Sequence, residues 1–279
     1  MTLTEAIQEA SSVLKAVGFK NHLWQARILA AHVKGLSPGQ LYSLYDLSFG
    51  DKALEETFFS LVKKRISGVP LQHITGEWDF FGRTFKVDGR ALIPRPETEL
   101  LVEYITKAPL PRKPLILDVG TGSGVIGISL ALEMPDSTVV GTDVSAETLE
   151  LAEENRLLLG AKNFSTVNCN LADGLNRQFD VIAANLPYIS SKDIQTLDPV
   201  VKDHDPLSAL DGGTDGTLLI LELVESTPYK MKPGGLMVLE TGYDQEISVP
   251  SFFSKELWTD IQTHRDLSGN HRLVTARRL

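Results

Sequence analysis

Leu115-Ile116-Leu117-Asp118-Val119-Gly120-Thr121-Gly122-Ser123-Gly124 is the stretch that decides the fold. An apolar run with the length of a buried strand ends in an acid, and three alternating glycines then open the apolar stretch Val125 to Met134, which reads as a helix. Glycines placed there let the backbone pass close to a ligand at the C-terminal edge of a parallel sheet. Thr138-Val139-Val140-Gly141-Thr142-Asp143 follows as a second strand, again ending in an acid. Its distance from the glycines, roughly 20 residues, is that from which a carboxylate accepts the hydroxyls of an adenosine ribose.

The alternation continues toward the C-terminus. Ser145 can cap a helix running to Gly160, and Phe164 to Val167 reads as a third strand ending at Asn168-Cys169-Asn170-Leu171. Topology puts that edge beside an adenine, where Asn170 could hydrogen-bond and Leu171 could pack. A fourth strand, Phe179 to Ala184, ends in Asn185-Leu186-Pro187-Tyr188. A helix near Leu218 to Glu225, a strand at Leu236 to Leu239 and a closing antiparallel pair, Leu257 to Thr263 with Leu273 to Ala276, complete an α/β, Rossmann-like pattern.

The N-terminal part differs. Thr2-Leu3-Thr4-Glu5 has capping-box form, Asn21 can cap a second helix ending at Gly35, Ser37-Pro38-Gly39-Gln40 repeats a start signal, and a fourth helix spans Asp51 to Gly68. Such short amphipathic pieces bury their stripes only against one another, which predicts a helical bundle. Lys63-Lys64-Arg65 reads as a solvated helix face. Trp78-Asp79-Phe80-Phe81 and Thr84-Phe85-Lys86-Val87, parted by Gly82-Arg83, predict a β-hairpin. Beyond it, Ile93-Pro94-Arg95-Pro96-Glu97 holds the chain extended before a helix starts near Pro96. Arg95 is either an ion-pair partner or a substrate or cofactor contact.

Bulk properties narrow the function classes. The net charge of −9, with no long Lys/Arg tract, argues against gripping a duplex through many phosphates. No apolar run reaches the ~20 residues that span a bilayer, the N-terminus lacks a basic-then-apolar leader, and the single Cys169 leaves no internal disulfide framework. The expectation is a cytoplasmic monomer that contacts neither membrane nor nucleic acid directly. The six histidines show no metal-ligand spacing, so no metal site is expected.

Chemistry is concentrated at Asn185-Leu186-Pro187-Tyr188. Asn185 offers a side-chain oxygen, and the Leu186 carbonyl precedes a proline, which lacks an N–H and disfavours helical geometry before it. With the Tyr188 ring as a wall, two acceptors suit a planar –NH2 group. The cofactor is less plain, because Gly122-Ser123-Gly124-Val125-Ile126-Gly127 also fits a nicotinamide dinucleotide fingerprint. Asp118, directly before the glycines, would repel a pyrophosphate and favour an ammonium, which S-adenosylmethionine carries. Asp118 can equally cap the N–H groups of the glycine loop itself.

The order of these signals resembles that of class I S-adenosylmethionine-dependent methyltransferases. More narrowly, Ile74-Thr75-Gly76-Glu77, Ile93-Pro94-Arg95-Pro96-Glu97-Thr98-Glu99, Asp118 to Gly124, Asp205-Pro206-Leu207-Ser208-Ala209-Leu210 and Gly269-Asn270-His271-Arg272 resemble bacterial release factor glutamine methyltransferases across both halves of the chain. The resemblance implies an N-terminal helical substrate-recognition domain over 1–70, a hairpin linker over 71–93, and a class I methyltransferase domain with a mostly parallel seven-stranded sheet over 94–279. It implies S-adenosyl-L-methionine as cofactor and S-adenosyl-L-homocysteine as product. It also implies methylation of the side-chain amide of the glutamine in the Gly-Gly-Gln motif of class 1 peptide-chain release factors, supporting translation termination. Asn185, Leu186, Pro187 and Tyr188 would be catalytic. Asp118, Gly120, Thr121, Gly122, Ser123, Gly124, Asp143, Asn170, Leu171 and Asn185 would bind the cofactor. Leu186 departs from the family's usual Asn-Pro-Pro-Tyr. Two other readings stand beside this one: an adenine-N6 DNA methyltransferase, which must also hold a planar amine, and a non-catalytic module that binds S-adenosylmethionine.

Overall fold

Thr2 and Glu5 satisfy each other's backbone N–H groups, at 3.2 Å for Glu5 N to Thr2 Oγ1 and 2.8 Å for Thr2 N to Glu5 Oε2. This capping box starts α1 (Leu3–Ala16), which buries the stripe Leu3, Ala6, Ile7, Ala10 and Leu14. The computed structural model describes residues 1–41, 43 and 47–279. They form two units, Met1–Gly76 with Pro199–His204, and Glu77–Asp198 with Asp205–Leu279.

The first unit continues with α2 (His22–Lys34), α3 (Pro38–Leu41), α4 (Lys52–Ile66) and α5 (Leu71–Thr75). Asp51 caps α4 through Leu54 N at 2.9 Å. Asn21 does not cap α2 with its side chain, because its backbone is left-handed (φ 53°). The basic run divides too. Lys63 and Lys64 are exposed, whereas Arg65 is buried, its Nε donating to Gln25 Oε1 at 2.7 Å and its guanidinium lying 4.0 Å from the centre of the Phe19 ring.

In the second unit β1 (Glu77–Phe80) and β2 (Arg83–Lys86) pair around Phe81 and Gly82, both at positive φ (49° and 73°), the geometry a two-residue hairpin turn demands. The hairpin expected to be a linker packs as part of this unit. Phe80 and Phe85 are buried edge to face within its core. The main chain of Lys86 exchanges hydrogen bonds with the Asn155 side chain at 2.7 and 3.0 Å, and Phe81 N donates to Glu99 Oε1 at 2.8 Å.

A 3-10 turn over Pro96–Thr98 leads into α6 (Glu99–Lys107), then β3 (Leu115–Val119), α7 (Val125–Glu133), β4 (Thr138–Asp143), α8 (Ala146–Leu159), β5 (Phe164–Asn168) and β6 (Phe179–Ala184). The segment Pro199–His204, which carries α9 (Pro199–Lys202), is counted with the first unit. The second resumes with α10 (Leu218–Ser226), β7 (Met231–Glu240), β8 (Trp258–Arg265) and β9 (His271–Arg278). The seven strands run in the order β5-β4-β3-β6-β7-β9-β8, parallel through β7 and antiparallel at β9 and β8. Two apolar clusters form the core, one joining the hairpin, α6 and α7, the other including Ile220, Leu223 and Val224 of α10. Register places Val119 opposite both Thr142 and Ala184, so β3, β4 and β6 end level with one another. Their last residues share the C-terminal edge, where parallel sheets take ligands.

Phe85→Ala is expected to lower the unfolding free energy of the whole chain by ~3–5 kcal/mol, the cost of emptying a full aromatic site. Urea unfolding checks it; a solvated linker would give a change under about 0.5 kcal/mol.

Candidate active site

The glycine loop can follow its path only without side chains at three positions. Gly120, Gly122 and Gly124 all have left-handed backbones (φ 68°, 57° and 84°). A Cβ on Gly120 would stand 3.0 Å from Leu186 Cδ2, and one on Gly124 would stand 2.7 Å from Ile128 Cδ1. The loop is tied to β4 by Thr121 N donating to the Thr142 carbonyl at 2.8 Å.

Asp118 lies beneath this loop, fully buried. Its Oδ2 accepts from Thr121 Oγ1 at 2.6 Å and from Gly127 N at 2.9 Å, while Oδ1 has no hydrogen-bond partner among the described residues. Burial pushes its pKa up to about 6, against those two hydrogen bonds, and the nearby Asp143 adds to the rise. The carboxylate therefore caps the loop and the start of α7, the alternative that the sequence left open, and it does not line the cavity.

Asp143, at the end of β4, does line it. Its Oδ2 accepts from Gly122 N at 3.1 Å and its Oδ1 from Ser145 N at 3.0 Å, which fixes the carboxylate at the mouth of the glycine loop. Burial raises its pKa, opposed by these backbone N–H groups.

The cavity holds about 370 Å³. Of the expected residues, Gly120, Thr121, Gly122 and Ser123 line one part of it, and Asp143, Asn170 and Leu171 another. Asn185, Leu186 and Pro187 close a third side, while Asp118, Gly124 and Tyr188 do not line it. Asn170 Nδ2 also reaches Glu222 Oε1 of α10 at 3.3 Å. Leu171 holds a left-handed backbone (φ 46°), and its carbonyl accepts from the Thr142 hydroxyl at 2.7 Å. Arg95 lines the cavity and pairs with the buried Asp205, Nη2 to Oδ2 at 2.7 Å, so the structure puts both of its possible roles at one place. Asp205 Oδ1 also accepts from Ile93 N at 3.2 Å, joining two stretches singled out in the sequence, one around Arg95 and one beginning at Asp205.

At the end of β6, Asn185 Nδ2 donates to Thr98 Oγ1 at 3.1 Å. Among the described residues, no hydrogen bond engages Asn185 Oδ1 or the Leu186 carbonyl. Leu186 is buried, and the Tyr188 carbonyl accepts from Gln245 Nε2 at 3.0 Å. Gly212 and Gly216 admit this turn: a Cβ on the first would sit 2.6 Å from the Pro187 carbonyl oxygen and one on the second 2.3 Å from that of Tyr188. Burial, then the charge of Glu240, raises the Tyr188 phenol pKa well above its usual value.

Sequence reasoning did not single out Thr98, Gly212, Gly216, Glu240 or Gln245 as site residues. Only the crowded glycines of Asp211-Gly212-Gly213-Thr214-Asp215-Gly216 carried a signal, that of a backbone closely approached.

Comparison with known proteins now bears on this geometry. Residues 5–76 match the sequence model described as the PrmC N-terminal domain, and residues 96–203 match that of the methyltransferase small domain. A release factor glutamine methyltransferase of Deinococcus radiodurans is 35% identical over 280 residues, covering 100% of this chain and 99% of the relative. One from Coxiella burnetii is 34% identical, with 100% and 99% covered. The chain belongs to the release factor glutamine methyltransferase family. A solved methyltransferase from Pyrococcus furiosus, 20% identical, superposes with a TM-score of 0.53 over 71% of this chain and 90% of its own. That likeness shows the class I methyltransferase fold.

S-adenosylmethionine is the cofactor of this family, and the residues present fit it. Asp143 keeps acceptor capacity beyond its two backbone N–H bonds for vicinal hydroxyls, and the loop beside it leaves its backbone bare at Gly120, Gly122 and Gly124. Apolar Leu171 and Val144 line the same cavity. Among the described residues, no group of three or more His, Cys, Asp or Glu could hold a metal ion. No helix among them is long and apolar enough to cross a membrane.

Asp143→Ala should weaken S-adenosylmethionine binding about 10- to 100-fold, the loss of hydrogen bonds to a charged acceptor. Isothermal titration calorimetry reads it, and unchanged affinity would remove Asp143 from the ribose.

Proposed function

We propose that this chain methylates the side-chain amide nitrogen of the glutamine in the Gly-Gly-Gln motif of class 1 peptide-chain release factors, as a cytoplasmic monomer that engages no nucleic acid directly. Family membership supports the reaction, since the relatives from Deinococcus radiodurans and Coxiella burnetii are release factor glutamine methyltransferases. One local observation supports the site: Asn185 has its nitrogen committed to Thr98 and its oxygen unengaged at the wall of the cavity that also holds Asp143 and the glycine loop.

A carboxamide nitrogen is a poor nucleophile because its lone pair is delocalised into the carbonyl. Asn185 Oδ1 and the Leu186 carbonyl each accept one of its two N–H groups, which orients the nitrogen and favours the positive charge that grows on it. Pro187 keeps Leu186 out of helical geometry, so that carbonyl stays free of the local backbone. Tyr188 follows directly on these residues without lining the cavity, and burial raises its phenol pKa, which keeps it neutral at physiological pH. Asp143, with Gly120, Thr121, Gly122 and Ser123, would hold the cofactor, and Asn170 and Leu171 would border its adenine. When bound, S-adenosylmethionine supplies a methyl group activated by its sulfonium. The chain's own contribution is alignment, and well-oriented reactants recover on the order of 7–11 kcal/mol of barrier. In this reading the helical unit recognises the release factor.

Asn185→Ala should cut transfer by about 10²- to 10³-fold, the loss seen when one preorganised hydrogen-bonding group is removed from a reacting centre, while cofactor affinity stays within about twofold. Mass spectrometry of the Gly-Gly-Gln peptide of a purified release factor, incubated with enzyme and S-adenosylmethionine, reads the outcome. A wild-type rate would sink the acceptor model, and labelled methyl appearing on DNA instead would redirect the substrate.

A further inference from the structure

The reactants of this methyl transfer differ in charge. A Gly-Gly-Gln stretch is neutral, whereas S-adenosylmethionine carries a sulfonium, an ammonium and a carboxylate. That carboxylate is the anion the cavity has to hold, and a cation with open donors is the group that would hold it.

The charged residues lining the cavity are Arg90, Arg95, Asp143 and Asp211. Arg90 is committed elsewhere, with Nε and Nη2 donating to Asp88 at 2.9 and 2.8 Å and Nη1 to Glu154 at 3.0 Å. Arg95 is not. Its Nη2 donates to Asp205 Oδ2 at 2.7 Å, and among the described residues its guanidinium makes no other hydrogen bond. A guanidinium is a fork of several N–H donors, so most of them stay open. The Arg95 side chain is 33% exposed, against 1% for Asp205.

The segment that carries Arg95 is stiff. Pro94 and Pro96 flank it, and each ring restricts the backbone. Asp205 Oδ1 accepts from Ile93 N at 3.2 Å while Oδ2 holds the guanidinium, so one buried carboxylate fixes both main chain and side chain. Thr98 N donates to the Arg95 carbonyl at 3.1 Å, and Thr98 Oγ1 accepts from Asn185 Nδ2 at 3.1 Å. One tight turn therefore ties Arg95 to Asn185, at the reacting end of the cavity. With its ribose on Asp143 and its methyl toward Asn185, S-adenosylmethionine has only a short chain between sulfur and carboxylate, which keeps the anion at that same end.

We propose that Arg95 is a cofactor-binding residue whose open guanidinium donors take the carboxylate of S-adenosylmethionine, and that Asp205 is the positioning residue that aims them. The guanidinium then lies between two carboxylates, one buried in the protein and one brought by the ligand. The ligand's own ammonium and sulfonium offset the added negative charge. The inference deepens the proposed function and rests on its placing of the ribose at Asp143 and of the methyl at Asn185.

Isothermal titration calorimetry of the full chain tests it with S-adenosylmethionine and with the decarboxylated form, which keeps the sulfonium and the ammonium. No methyl acceptor is needed. Wild type should bind the decarboxylated form about 10- to 100-fold more weakly, the loss of hydrogen bonds between charged groups. Arg95→Met keeps an apolar stem without the charge. Its affinity for S-adenosylmethionine should fall by a similar factor, and its discrimination between the two forms should shrink to about twofold or less. Because that variant strands a buried carboxylate, Arg95→Met with Asp205→Asn is its companion and should show the same flattened ratio. The ratio is the quantity to read, since an unfolded fraction weakens apparent binding of both forms alike.

Equal affinity of wild type for the two forms, or a wild-type ratio in either variant, would overturn the proposal. A raised KM for release factor in Arg95→Met at an unchanged ratio would give the guanidinium to the substrate peptide instead. Asp143→Ala separates the two levels. If it loses affinity while Arg95→Met keeps the wild-type ratio, the ribose placement stands and only the Arg95 contact falls; if it keeps affinity while Arg95→Met flattens the ratio, the ribose placement falls and the carboxylate contact stands.

Discussion

Three parallel strands that end level with one another are the constraint on which the site depends. Val119 of β3 faces Thr142 of β4 on one side and Ala184 of β6 on the other, so the glycine loop, Asp143 and Asn185 leave the sheet at the same height. A slip of one residue in either pairing would turn every side chain of that strand to the opposite face and bury Asp143 or Asn185 under the helices. The register is held by the apolar faces themselves, since β3 and β6 are buried along nearly their whole length. Chemistry at this edge therefore inherits its geometry from the core.

Much of this was legible in the sequence because the signals are local. Gly120, Gly122 and Gly124 announce a path that side chains would block, and Asp143 follows its own strand at a recognisable distance. What the sequence concealed lies in contacts between distant segments. Thr98 touches Asn185 across 87 residues, and Gln245 reaches the Tyr188 carbonyl across 57. Neither shows a periodicity or a spacing, since a lone Thr or Gln carries no pattern until the fold supplies its neighbour. The packing of the hairpin was hidden for the same reason: Phe80 and Phe85 gave its strands, but only the Asn155 and Glu99 side chains show what it packs against. Arg65 repeats the lesson in the other unit, where a basic run hides one cation that Gln25 and Phe19 draw inward.

Leu186 replaces a ring restraint with packing. Its side chain is buried, and its Cδ2 sits 3.0 Å from the point where Gly120 would carry a Cβ. The absence of a side chain on Gly120 is thus what makes room for Leu186, and burial fixes the residue from one side while Pro187 restricts its backbone from the other. Beyond it, the turn is clamped by backbone approaches that only glycine at 212 and 216 allows. Asn185 and Leu186 are thus held by packing and by close backbone approaches, although the family's usual first proline is missing.

Two acids of this unit are wholly buried, and burial acts on both alike. It pushes the Asp118 pKa up to about 6, against a hydroxyl and a backbone N–H on one oxygen, and raises that of Glu240 from 4.5 to about 7. Desolvation wins in both. Because the folded state holds the Glu240 proton more tightly than the unfolded chain does, its contribution to stability is whole below pH 4.5 and is lost as pH rises through 7. The loss is on the order of 3 kcal/mol by the usual conversion, a large share of the ~5–15 kcal/mol that holds a protein folded. An apolar side chain of similar volume at the end of β7 would avoid that cost, as replacements of buried charges commonly do. Stability therefore gives no reason for a carboxylate at this point.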